Sequence, residues 1–233
     1  CFWFWGIIMT SEKIIDILKN GKIHLSCELF PPKQGAELQN SLEIVNKIAA
    51  SKPSYMSVTY GAGGSTVGYS AALAKKVEDN GMPALAHLTC VKADEAKLAE
   101  VLGQLQGFGV KNILALRGDI PADMQGEEIG SFAHASELMR FVKQQGDFCV
   151  GGAAYPEGHP ESGSLEQDIE NTKYKVDAGV DFLVTQMFFD NTILYNYMFR
   201  LLRAGINVPV VPGIMPVTNA KQIIRICQLS GTK

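Results

Sequence analysis

The sequence predicts an α/β protein, a (β/α)8 barrel with seven βα units in which the eighth is missing at the C-terminus. Two observations carry this prediction. From Lys22 onward, short apolar runs rich in β-branched residues alternate with amphipathic stretches of helical period. The runs begin between 27 and 37 residues apart, close to the length of a strand, a crossover helix and two short loops.

The predicted strands are apolar runs with turn residues around them. They cover 23–30, 55–60, 83–90, 112–118, 149–156, 182–189 and 209–215. The stretches between them place apolar residues on one helical face, as Leu98, Val101, Leu102 and Leu105 do. A last helix is predicted over 220–229. Even spacing without a linker favours one barrel, and the alternative, a doubly wound open sheet, often carries a Gly-x-Gly-x-x-Gly motif that is absent after the first strand.

The N-terminus departs from this pattern. It begins with CFWFWGIIM, a run too short to span a bilayer and without the positive segment of a signal peptide. Residues 10–12 then form a typical helix start. We therefore predict that Met9 is the true start, that 1–8 is a spurious upstream extension, and that 9–233 is a single domain, truncated at its C-terminus. A genuine hydrophobic N-terminal staple is the alternative.

Composition narrows the function classes. The chain has 233 residues, is 46% hydrophobic and carries a formal net charge of −3, which is typical of a globular protein. Because like charges are not clustered, neither nucleic acid nor an anionic membrane is an expected partner. The five cysteines are irregularly spaced without a CxxC pair, so we expect free thiols in a reducing cytoplasm and no metal site.

Glu28 is the first candidate functional residue. In a (β/α)8 barrel the active site lies at the C-terminal ends of the strands, and Glu28 lies inside the first apolar run, just before Phe30-Pro31-Pro32. A carboxyl group there has a raised pKa unless it is paired, and a raised pKa suits a general acid. A glutamate paired with a buried lysine or arginine is the alternative.

Other predicted strands also end in polar residues. Arg117 and Asp119 could bind a phosphate and a ribose hydroxyl or polarised ring atom, or form a rim salt bridge. Gln186, a lone amide in an apolar wall, suits a planar heteroaromatic substrate or a structural role inside the barrel. His87 is either a ligand or a core histidine. The set lacks a Cys/His metal cluster and a Ser-His-Asp arrangement, and it suits a bound organic cofactor.

Eight sequence blocks identify a family that the chain resembles. They are ELFPP (28–32), VTYG (58–61), HLTC (87–90), ALRGD (115–119), AYPEGHP (154–160), KVDAG (175–179), TQMFFD (185–190) and VPGIMP (211–216). In this order they resemble the methylenetetrahydrofolate reductase family, flavin-dependent barrel enzymes of one-carbon metabolism and methionine supply. The resemblance implies reduction of 5,10-methylenetetrahydrofolate to 5-methyltetrahydrofolate, with FAD passing a hydride from NADH or NADPH.

The resemblance also implies roles for individual residues. Glu28 would be the general acid that assists opening of the folate's imidazolidine ring, Asp119 would lie at the flavin edge as a second catalytic residue, and Gln186 would bind the pterin. The residues that would bind FAD are Thr59, His87, Leu116, Arg117, Gly118, Asp119, Tyr155, His159, Asp168 and Lys175.

A cytoplasmic enzyme, homo-oligomeric when full length, is expected from this resemblance. Two alternatives stay open: another flavin barrel oxidoreductase, similar to proline dehydrogenase, or an inactive barrel fragment.

Overall fold

The computed structural model describes residues 12–32, 35–60, 67–119 and 130–230. In these residues, parallel strands alternate with helices, and each strand pairs with the next along the chain in the order β1-β2-β3-β4-β5-β6-β7. The seven strands are β1 (Ser26–Leu29), β2 (Tyr55–Val58), β3 (Ala84–Thr89), β4 (Asn112–Leu116), β5 (Cys149–Ala154), β6 (Phe182–Thr185) and β7 (Val210–Val211).

The eight α-helices of the described residues follow the predicted alternation. They are α1 (Ile14–Leu18), α2 (Leu38–Ala49), α3 (Val67–Asp79), α4 (Glu95–Gly107), α5 (Ala135–Gln145), α6 (Leu165–Asp177), α7 (Asn191–Arg203) and α8 (Ala220–Ser230). Side chains at the N-termini of α4, α6 and α7 accept backbone hydrogen bonds, as when Asp94 accepts from the N–H of Lys97 at 2.7 Å. In this part of the chain, no helix combines the length and apolarity needed to cross a bilayer.

The order and type of the predicted strands are confirmed, but the strands are shorter than predicted. The first was expected over 23–30 and covers Ser26–Leu29, and the last was expected over 209–215 and covers Val210–Val211. Within the described residues these two strands have a neighbour on one side only, so fewer backbone groups hold their ends in the sheet. The predicted extension 1–8 and the proposed start at Met9 lie outside the described residues.

The sheet is curled, with separate buried clusters on its two faces. On the inner face, Tyr55 of β2, Leu114 of β4 and Phe182 of β6 belong to one small cluster together with Ile14 of α1. A larger cluster joins the outer face to the surrounding helices. Glycine makes room on the inner face, because a Cβ at Gly151 would lie 2.7 Å from the Phe182 ring. A parallel sheet covered by helices and curled around an inner core is therefore the observed architecture.

Helix α1 closes the N-terminal end of this inner core. Ile14 is fully buried, and its backbone N–H donates to the side-chain oxygen of Asn112 at 2.8 Å. The Asn112 amide nitrogen donates in turn to the backbone oxygens of Glu12 and Ala84, at 3.2 and 3.3 Å. The C-terminal ends of the strands lie at the opposite end of this core, which α1 does not cover and which is therefore the end open to ligands.

Candidate active site

A cavity of about 670 Å³ lies at the C-terminal ends of β3, β4 and β5. Helices α5 and α6 close its sides. The residues that line it are Tyr60, Thr89, Val91, Leu116, Arg117, Gly118, Asp119, His134, Ala135, Ser136, Glu137, Arg140, Ala153, Tyr155, His159, Glu161, Ser162, Asp168, Asn171, Tyr174 and Lys175. This size is in the range of small-molecule and cofactor sites.

The cavity contains most of the predicted cofactor-binding residues. Of that predicted set, the residues in its lining are Leu116, Arg117, Gly118, Asp119, Tyr155, His159, Asp168 and Lys175. The backbone conformation at Gly118 explains the glycine there, since its φ of +90° is strained for other residues. Thr59, His87, Gln186 and Glu28 are not among the lining residues.

Arg117 makes the most regular polar contact in the cavity. Its two terminal nitrogens donate to the two carboxylate oxygens of Glu161, each at 2.6 Å, and its Nε donates to the carbonyl of Gly118 at 3.3 Å. This hydrogen-bonded fork raises the pKa of Arg117 and lowers that of Glu161. A guanidinium that accommodates a carboxylate in this geometry can accommodate a phosphate in the same way.

Lys175 is the second cation of the cavity. Its Nζ donates to the backbone oxygen of Ala153 at 2.7 Å and lies 5.6 Å from the centre of the Tyr155 ring. Burial lowers the pKa of Lys175, and the charge of Asp168 opposes this effect. Tyr155 in turn meets the His159 ring edge-on, with ring centres 4.6 Å apart. The cavity thus combines cations with aromatic surfaces.

Glu28 lies beside the inner core, on the same face as Ser57 and His87. The β1–β2 register aligns Glu28 with Ser57, whose hydroxyl donates to Glu28 Oε2 at 3.3 Å. The Glu28 side chain keeps 47% of its surface exposed, yet partial burial raises the pKa of its carboxyl group, with the Ser57 hydrogen bond opposing that shift. Among the described residues, no lysine or arginine pairs with Glu28, so the alternative of a buried ion pair is not supported there.

His87 lies directly against this carboxyl group. Its side chain is 9% exposed and its Nε2 is 3.7 Å from Glu28 Oε2, and that nitrogen has no hydrogen-bond partner among the described residues. Burial lowers the pKa of His87 to about 4, so the ring is neutral at physiological pH. His87 was predicted to bind a cofactor or to be a core histidine, and the structure brings it next to the candidate acid.

Gln186 directly follows the last residue of β6. Its backbone N–H donates to the oxygen of Ala154 at 2.7 Å, and its side-chain oxygen accepts from the N–H of Met187 at 2.9 Å. The side chain is therefore oriented by its own chain, and its amide nitrogen can donate to a ligand.

Several residues of the site were not predicted from the sequence. Ser57 lies two residues before Thr59 and so faces the same side of β2, a signal that strand alternation contains. Glu161 follows the predicted block 154–160 directly, and Arg140 lies one and a half turns into α5, so neither position showed in advance that it would reach the cavity. Among the described residues, no cluster of three or more His, Cys, Asp or Glu could bind a metal ion.

Comparison with known proteins adds a family and a fold. The family model for methylenetetrahydrofolate reductase matches residues 13–233. The chain is 36% identical over 214 residues to the 5,10-methylenetetrahydrofolate reductase of Escherichia coli K12, a match that covers 91% of this chain and 71% of that protein. It is 37% identical to methylenetetrahydrofolate reductase 2 of Schizosaccharomyces pombe, over 96% of this chain and 37% of the longer relative.

A solved structure has a similar fold at low sequence identity. It is an uncharacterized protein from Clostridium thermocellum that binds two copies of 5-methyl-5,6,7,8-tetrahydrofolic acid. It matches with a TM-score of 0.64 at 14% identity, over 94% of this chain and 75% of that chain.

Proposed function

The chain belongs to the methylenetetrahydrofolate reductase family, and on this premise we propose that it reduces 5,10-methylenetetrahydrofolate to 5-methyltetrahydrofolate. FAD is the proposed cofactor, and NADH or NADPH the proposed electron donor. The observation that carries the proposal is Glu28, a carboxyl group with a raised pKa at the ligand end of the strands and without a cationic partner among the described residues. A folate ligand agrees with the 5-methyltetrahydrofolic acid bound by the similar Clostridium protein.

The chemistry of the cavity fits FAD. Arg117 and Lys175 can neutralise a diphosphate, and Tyr155 and His159 offer aromatic surfaces for its flat rings. Asp119 would contribute a negative charge at the flavin edge, where it disfavours reduction of the ring. Thr59, Leu116, Gly118 and Asp168 complete the proposed set with His87. When bound, FAD would supply the hydride carrier between nicotinamide and folate.

Glu28 is the proposed proton donor to the folate. Its carboxyl group gives its proton to the ring nitrogen whose bond to the bridging carbon breaks, and it is left as a carboxylate. Because half of the side chain is exposed, water can return the proton before the next turnover. Gln186 would bind the pterin through its amide nitrogen, the group that its contact with Met187 leaves for a ligand.

The test is spectroscopic and uses purified full-length chain reconstituted with FAD. We expect a flavin absorbance spectrum that NADH or NADPH bleaches without oxygen and that 5,10-methylenetetrahydrofolate restores, with 5-methyltetrahydrofolate as the product. Proline is the matched control reductant. Bleaching by proline instead of the nicotinamides would favour the alternative oxidoreductase, and a protein that retains no flavin would contradict the proposal.

The proposed architecture is a single FAD-binding barrel domain over 9–233, to which the chain contributes seven βα units. Its support is the pairing order, in which each strand pairs with the next along the chain within the described residues.

A further inference from the structure

Glu28 has two polar neighbours that reach the same oxygen. Ser57 donates to Oε2 at 3.3 Å, and Nε2 of His87 lies 3.7 Å from the same atom. Both neighbours come from strands of the sheet, not from loops. The register aligns Glu28 with Ser57 and Ser57 with Leu85, and His87 follows Leu85 by two residues on the same face of β3. Backbone pairing therefore brings the three side chains together.

The buried Nε2 atom of His87 has no hydrogen-bond partner among the described residues, which is energetically unfavourable. A buried polar atom without a hydrogen-bond partner destabilises a fold, because it has lost its bond to water and gained no other. Such groups are rare in folded proteins and call for an explanation. The nearest charged group is the Glu28 carboxyl, and a movement of under about 1 Å would bring the two within hydrogen-bond distance.

We propose that Ser57 and His87 are positioning residues for the acid: together they hold Oε2 of Glu28, the oxygen that carries the proton for the folate. The Oε2–H bond breaks as the ring nitrogen of the folate takes the proton, and Glu28 is left as a carboxylate. This inference rests on the proposed function, because it concerns the acid of that reaction. The two residues act on opposite protonation states. The Ser57 hydroxyl donates and so favours the carboxylate, whereas a neutral imidazole that presents its lone pair accepts from the protonated acid and favours that form.

Other roles for this cluster fit less well. In a nucleophilic triad the histidine lies between the serine and the carboxylate, whereas here the carboxyl group lies between Ser57 and His87, so the serine has no base beside it. The titratable groups that face Glu28 are His87 on β3 and Tyr55 on β2, and the charge of Glu28 contributes to raising the pKa of Tyr55. The ring nitrogen of His87 is therefore positioned to accept a hydrogen bond from the protonated carboxyl group of Glu28.

The decisive variants at Ser57 are an isosteric pair. Ser57→Thr keeps the hydroxyl group and Ser57→Val replaces it with a methyl group at the same volume, so effects of packing cancel between them. We expect the pH midpoint of Glu28 to rise by about half a unit or more in Ser57→Val relative to Ser57→Thr. His87→Leu removes the ring lone pair at a similar volume, leaves no acceptor in its place, and is expected to lower that midpoint.

Two measurements report the midpoint. One is the pH profile of folate reduction by the pre-reduced holoenzyme in a single turnover. The other needs no activity: the carboxyl signal of Glu28 is followed by carbon-13 NMR during a pH titration and is assigned by its loss in Glu28→Gln. If the wild-type chain failed to reduce folate, this titration would still test Ser57 and His87, so the two proposals can fail separately.

A second serine–histidine pair supplies the matched control. Ser54 Oγ lies 2.8 Å from Nδ1 of His24, near the opposite end of the same strands. Ser54→Ala and His24→Leu remove equivalent groups and are expected to leave the Glu28 midpoint unchanged. Equal midpoints in Ser57→Thr and Ser57→Val would overturn the role of Ser57. A His87→Leu protein that keeps the wild-type Glu28 titration, whether or not it retains flavin, would overturn the role of His87.

Discussion

The two ends of the inner core treat their polar groups in opposite ways. At the N-terminal end, Asn112 is 0% exposed, and its side chain makes three hydrogen bonds, to Glu12, Ile14 and Ala84. At the C-terminal end, a nitrogen of His87 has no partner among the described residues and Lys175 is buried with a lowered pKa. At the N-terminal end, the buried polar groups are hydrogen-bonded within the protein. At the C-terminal end, polar groups remain that can form hydrogen bonds with a ligand.

This difference separates stability from function along the same strands. A satisfied buried amide contributes to folding, because each partner that it loses becomes a buried group without a hydrogen bond. A buried polar group without a hydrogen-bond partner reduces stability, and such groups are found at functional sites, where they bind ligands or take part in chemistry. We therefore expect substitutions at the N-terminal end to change the free energy of unfolding, and those at the C-terminal end to change chemistry.

The largest expected effect is on catalysis at the ligand end. Glu28→Gln removes the proton donor and should slow folate reduction by about 100- to 10,000-fold, because general acids contribute that much. Reduction of the flavin by the nicotinamide needs no such acid and should change little. Stopped-flow measurement of the two half-reactions checks this, with exposed Glu100→Gln as the control. Equal losses in both half-reactions would contradict the assignment.

A pH-dependent effect should come from His87. Its pKa is about 4 in the folded protein against 6.5 ordinarily, so below pH 6.5 the unfolded chain binds the proton first. Stability is therefore lost as the pH falls from about 6.5 to about 4, by about 3 kcal/mol from this group, and no further below that. Urea unfolding of wild type and His87→Asn across this range measures it. An unchanged pH slope in the variant would show that His87 is not the group responsible.

A smaller loss of stability is expected when the hydrogen bonds of Asn112 at the N-terminal end are removed. Asn112→Ala leaves the buried N–H of Ile14 without its acceptor and should lower the free energy of unfolding by about 1–3 kcal/mol. Flavin binding, at the other end of the strands, should be retained. Asn80→Ala is the control, because it removes an exposed amide whose nitrogen makes two hydrogen bonds, as the buried Asn112 nitrogen does. If both variants were equally stable, the saturated network would not contribute as we describe.

The smallest expected effect on stability is at the Arg117–Glu161 fork. Its geometry is regular, but Glu161 is largely exposed, and exposed ion pairs contribute under about 1 kcal/mol. Glu161→Gln should therefore destabilise the protein less than Asn112→Ala does, in parallel urea titrations. Raised salt should narrow the difference between Glu161→Gln and wild type. If Glu161→Gln lost more stability than Asn112→Ala, the ion pair at the C-terminal end would be the more stabilising of the two, contrary to our expectation.

The sequence predicted the fold further than it predicted the site. Apolar runs and the helical stretches between them located the strands of the sheet in order, because burial on both faces of a parallel sheet leaves continuous apolar runs. They overestimated β1 and β7, whose ends depend on neighbouring strands that a local pattern does not contain. At the site, the apolar residues around Glu28 predict a raised pKa for its carboxyl group, and partial burial shifts that pKa in the same direction.

The parallel α/β class could be predicted from the sequence. So could the presence of polar residues at the strand ends, Glu28 and Arg117 among them. Which side chains come into contact depends on the tertiary structure. The contact of His87 with Glu28 and the fork of Arg117 on Glu161 join residues far apart in the chain. Such contacts depend on strand register and on where a loop folds back, because a shift of one residue turns every side chain of a strand to the other face.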